Sequence, residues 1–117
     1  MRDAPSTLVS RTFVTRDGCA NPDEARARIG ELCRALDARY QRGELLGYES
    51  YVVASDDDYL DHDLEYVRAL VETVTHGVLP FIWLNITVSS PWEDPVAEEI
   101  ERFGLISLDA SEEPYSS

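Results

Sequence analysis

The chain has 117 residues, 44% of them hydrophobic, and a formal net charge of −13. That length suits one domain with a real core, and the composition is not that of a disordered chain. All ten cations are arginine, and the absence of lysine excludes a Walker-type phosphate lysine, a Schiff base and a Ser–Lys dyad. Charge is unevenly spread: residues 1–43 carry net +2 and residues 44–117 net −15. Such a field repels nucleic acid and anionic membrane and steers a basic partner toward it. The apolar run from Val78 to Val88, interrupted by Asn85, is too short to cross a bilayer. The start, Met1 to Pro5, lacks the apolar core of a secretory signal, so a cytoplasmic location is the default expectation.

Residues 1–6 read as a frayed start. Thr7 to Arg16 is rich in β-branched residues and reads as a strand. Arg11 shares a face with Val9 and Phe13, which suits an edge strand or a partly covered one. Asn21-Pro22-Asp23-Glu24 is a helix start: Asn21 caps, Pro22 fits the first position, and Glu24 stands where a capping box needs it. Ala25, Ile29, Leu32, Cys33, Leu36 and Tyr40 then recur at helical spacing until Gly43 or Gly47. Cys33 falls on that apolar face and reads as a small core residue, with Cys19 in a loop. Two cysteines and two histidines this scattered do not form a structural zinc site.

Tyr48 to Ala54 is a second strand. Ser55 and the acidic burst Asp56-Asp57-Asp58 open a second helix, and Leu60, Leu64, Val67, Val71 and Val74 predict about four unbroken turns to His76-Gly77. Leu79 to Val88 is apolar on both faces, as a covered central strand should be. Asp94 as cap and Pro95 at the first position start a short helix with Val96, Ile100 and Phe103 inward, stopped by Gly104. Leu105 to Leu108 is a last strand, and residues 110–117 read as a loose acidic tail. The order is β-α-β-α-β-α-β, a single domain over residues 7–109. The fold class is α/β, a layered four-stranded sheet with Leu79–Val88 central and right-handed crossovers; the alternative is an α+β ferredoxin-like sheet.

No nucleotide-binding glycine loop, nucleophile elbow, zinc-protease helix or usable Cys–His spacing occurs, so no catalytic residue and no cofactor is assigned. Asp56, Asp58 and Asp61 could offer oxygens to Mg²⁺. The capping reading, with Ser55 as cap and aspartates in the first turn, is preferred, and no metal is assigned. Asp61, Asp63, Glu65 and Glu72 match ligand positions of a calcium loop, but Tyr66 stands where the turn needs glycine and the helical rhythm runs through. Asp57, Asp61 and Glu65 follow at i,i+4, with Glu72 continuing roughly that face, a like-charge row that an isolated helix disfavours. His62 reads as an exposed helix residue, His76 as a helix C-terminal cation, and Asn85 as a polar residue satisfied within the sheet. Trp92 beside Glu93 is a candidate interface anchor.

The expected function is a small acidic non-enzymatic regulator or inhibitor, of nucleic-acid-mimic, immunity or anti-defence type. It binds the basic surface of a protein partner through Asp57, Asp61, Glu65, Glu72, Trp92 and Glu93, with no direct nucleic-acid or membrane contact. The alternatives are a small metal-assisted enzyme on a phosphate-containing substrate, and a homo-oligomeric domain whose acidity is a salt adaptation.

Overall fold

The computed structural model describes residues 8–108. The frayed start expected at 1–6 and the acidic tail expected at 110–117 lie outside the described residues. Four strands form one sheet: β1 (Leu8–Thr15), β2 (Gly47–Val53), β3 (Phe81–Ser89) and β4 (Leu105–Ser107). Four helices accompany them: α1 (Pro22–Gln41), α2 (Asp56–Asp61), α3 (Arg68–Thr75) and α4 (Glu93–Glu101).

The sheet order is β2-β3-β1-β4, and every neighbouring pair is antiparallel. The four-stranded sheet is as expected, and its strands run antiparallel throughout. The β1-α1-β2 and β3-α4-β4 crossovers each leave one strand's width open: β3 fills the gap between β1 and β2, and β1 fills the gap between β3 and β4. β1 is therefore internal and not an edge, paired with β3 from Leu8↔Ser89 to Val14↔Trp83 and with β4 from Phe13↔Ser107 to Thr15↔Leu105. β3 is central, as its two apolar faces require.

Alternate residues of each strand feed two separate cores. On the first face Phe13, Ile82, Leu84, Ile86, Val88 and Leu105 pack against Leu32 and Leu36 of α1 and Val96 and Ile100 of α4. On the second face Val14, Val53, Phe81, Trp83 and Leu108 pack against Tyr59, Leu64 and Val71 from the α2–α3 segment. Between them, the buried Thr15 hydroxyl accepts the Ile82 backbone N–H at 3.0 Å, satisfying a polar group where β1 ends.

The α1 start forms as its residues dictate. Asn21 accepts the Glu24 N–H at 2.8 Å, and the Glu24 carboxylate reaches back to the Ala20 N–H at 2.5 Å. Two local expectations fail. Ser55 occupies the cap position of α2 but makes no side-chain cap bond; the Asp58 carboxylate instead accepts the Ala54 N–H at 2.8 Å. α4 starts at Glu93 after a 3-10 turn over Ser90–Trp92, so Asp94 is not its cap and Pro95 is not its first residue.

The second helix is also broken. α2 ends at Asp61, Asp63 turns through φ 59°, and a 3-10 turn at Glu65–Val67 precedes α3. The turn resets the helical phase, so Leu60 points outward at 66% exposure while Tyr59 is buried at 1%. Leu64 and Val71 then join Tyr59 over Phe81 in one cluster, which a straight helix of the expected phase would not allow. The cysteines exchange roles as well: Cys19 enters the first core, and burial foremost pushes its thiol pKa up. Cys33 is only half-buried, its Sγ 3.5 Å from the Ser50 hydroxyl.

Candidate functional site

The acidic row foreseen on the second helix does not exist as a row. Asp57 and Asp61 share α2, but Glu65 lies beyond the turn and Glu72 on α3. Arg68 gathers three of the segment's carboxylates instead. Its guanidinium reaches Asp56 at 2.6 Å, Glu65 at 2.9 Å and Glu72 at 3.1 Å, and it lies 4.5 Å over the Tyr59 ring. One arginine thus ties α2, the 3-10 turn and α3 together, and its single positive charge among three carboxylates leaves the cluster net negative. Its own pKa is raised, first by the hydrogen bond to Glu72. Asp56 and Asp58 are taken up by Arg68 and the Ala54 N–H, and no three His, Cys, Asp or Glu side chains among the described residues could hold a metal together. The calcium-loop match meets the same end: the helical rhythm breaks at Asp63, but Arg68 occupies Glu65 and Glu72.

Glu93 is likewise committed, bonded to Arg11 at 2.5 Å. Trp92 ends the 3-10 turn just before α4 and is 38% exposed. His62 caps α2 and stacks on Tyr51, ring centroids 4.0 Å apart. His76 takes the left-handed C-cap of α3 and lies 3.3 Å from Asp17. Asn85 sits half-buried on the second sheet face and accepts the Ser10 hydroxyl at 3.3 Å.

Carboxylates without a cation among the described residues stand on both α4 and α2. α4 holds five acidic residues in nine. Two point back into the molecule, Glu93 to Arg11 and Glu99 to Arg39. The other three, Asp94, Glu98 and Glu101, stand at i, i+4 and i+7, are all exposed, and form one outward row with no ion pair. Asp57, Asp61 and Asp63 are similarly unpaired on and just after α2, against the opposite sheet face. The α4 row is visible in the spacing once the helix is started at Glu93; placing the start at Asp94 hides it by treating its first carboxylate as a cap.

Two concavities complete the surface. One, of about 340 Å³, is lined by Arg16, Glu101, Gly104, Leu105 and Ile106 beside β4. The other, of about 270 Å³, lies where α1 ends over the start of β2 and is lined by Asp37, Tyr40, Leu46, Gly47 and Tyr48. There the Tyr48 hydroxyl donates to Asp37 at 2.7 Å, and burial foremost, then that bond, pushes the phenol's pKa up. No helix among the described residues is long and apolar enough to cross a membrane. No protein-family model, curated protein or solved structure matches the chain.

Proposed function

We propose that this protein is a small acidic binding module that docks, through the outer row of α4, onto the basic surface of a protein partner, as an inhibitor or regulator does. The observation that supports this is selective pairing. The arginines of the first half cover the inward carboxylates of α4, while Asp94, Glu98 and Glu101 are left facing solvent together. Three like charges within three turns disfavour an isolated helix, and a basic partner relieves that cost. Exposed Trp92 at the start of the same helix is the apolar anchor such a contact needs. We also read the interleaved β-α-β units as a ferredoxin-like arrangement carrying α2–α3 as an insertion between β2 and β3.

The test is capture of a basic protein by the tagged full chain, repeated with Asp94→Arg, Glu98→Arg and Glu101→Arg combined, and separately with Asp57→Arg and Asp61→Arg. Loss on the α4 reversal alone, with binding that weakens as salt rises above about 0.1 M, supports the reading. Unchanged capture by the α4 variant sinks it. A steep gain in stability toward molar salt with no salt-sensitive partner would make the acidity a salt adaptation instead.

A further inference from the structure

The groove at the end of α1 has a composition that the rest of the surface lacks. It brings one carboxylate, two phenol rings and an aliphatic wall into about 270 Å³. Tyr48 donates its hydroxyl to Oδ1 of Asp37, a residue that lines the groove, which engages one carboxylate oxygen and not the other. Tyr40 and Leu46 are 52% and 48% exposed side by side in the one groove. β2 is the outermost strand on this side of the sheet, so the groove is open from the edge.

We propose that this groove seats an arginine side chain of the basic partner, deepening the α4 reading and resting on it for the partner's class. The chemistry fits a guanidinium on three counts. An aromatic face attracts a cation that lies flat against it, and a guanidinium does so better than an ammonium. A carboxylate with a free oxygen accepts the planar N–H fork. Leu46 and the ring edges cover the aliphatic stem, as amphipathic side chains require. The volume is below that of ordinary small-molecule sites, which suits one side chain and not a cofactor. The groove also lies on the layer that carries the α4 row. α1 and α4 pack on the same sheet face, and Arg39, two residues beyond Asp37, is bonded to Glu99 of α4.

The test uses a free probe, so that it does not depend on finding the partner. The full chain is titrated with N-acetyl-arginine amide while the tyrosine ring signals are followed by NMR, with the lysine and norleucine amides as comparisons. Saturable shifts confined to Tyr40 and Tyr48 are expected with the arginine probe, weaker ones with lysine and none with norleucine. Asp37→Asn, which keeps an acceptor for Tyr48, should weaken the arginine probe about tenfold, and Tyr40→Ala should weaken it too. Shifts spread over the acidic surface without saturation, an equal response to norleucine, or unchanged binding by Asp37→Asn overturn the proposal. An equal response to lysine overturns its guanidinium assignment. Loss of partner capture on α4 reversal without probe binding removes the groove alone; probe binding without any effect of α4 reversal removes the α4 reading alone.

Discussion

Gly18 and Gly43 both hold a left-handed backbone, at φ +75° and +80°, yet an added methyl group meets different surroundings at each. At Gly43 nothing lies within 4 Å of the new Cβ. At Gly18 it would stand 2.7 Å from Cγ1, 2.9 Å from Cβ and 2.9 Å from the backbone oxygen of Val78. The left-handed conformation costs an ordinary residue about 1–2 kcal/mol, against about 0.4–1 kcal/mol recovered from a stiffer unfolded chain. Gly43→Ala should therefore destabilise by only about 0.5–1 kcal/mol. Gly18→Ala adds an overpacking cost of about 1–3 kcal/mol, because the segment it meets cannot retreat freely. The Val78 N–H is held by the Thr75 carbonyl at 3.1 Å, and the Cys19 N–H by the Pro80 carbonyl at 2.8 Å, so both sides of the contact are tied. The expected total is about 2–4 kcal/mol, read from urea unfolding of the two variants side by side with the slopes checked for equality. Val78→Ala in the Gly18→Ala background should recover part of the loss, since it removes only the 2.7 Å contact. Equal costs for the two glycine substitutions would refute the close approach of the loop after β1 to the segment before β3.

Asn21→Ala removes the acceptor for the Glu24 N–H and should cost about 1 kcal/mol of stability by the same unfolding assay, with Asn21→Ser close to neutral. The folded Tyr48 phenol titrates above its ordinary value of 10.0 because burial and Asp37 favour the protonated form. Its contribution to stability is therefore complete below that value and lost as pH rises from there through the folded pKa, so the urea midpoint should begin to fall above about pH 10, and fall less in Tyr48→Phe. Arg68→Ala leaves Asp56, Glu65 and Glu72 facing one another over Tyr59, and amide exchange across residues 56–75 should accelerate while that of β1 and β3 changes little. Added salt should narrow that difference.

Element positions were readable where local chemistry decides them. The Asn21–Glu24 box placed α1, and the two-faced apolar run placed β3 to within two residues at its start. Strand direction was not readable, because alternation of strands and helices specifies only that crossovers exist. Which strand fills the gap beneath each crossover depends on pairing between residues far apart, such as Leu8 with Ser89. The break at Asp63 was hidden for a related reason: Leu60, Leu64 and Val67 keep a helical period in sequence, and only the demand that Tyr59 cover Phe81 outweighs it. The partners of the candidate carboxylates were not readable, because they lie on other elements: Arg68 gathers Asp56, Glu65 and Glu72, and Arg11 and Arg39 draw two of the five α4 carboxylates inward.

The internal place of β1 also dictates an order of events during synthesis. Every residue that β1 pairs with lies beyond position 80, so when the first strand and α1 leave the ribosome there is no sheet for them to join. Only when β3 emerges can one strand bring β1 and β2 together, closing a long loop and forming most of the sheet at once. A chain halted before Phe81 would carry two strands that are parallel in the finished sheet but not neighbours within it. Nascent chains of this protein should therefore resist protease as a sheet only after residue 89 has cleared the exit tunnel, and then nearly all at once.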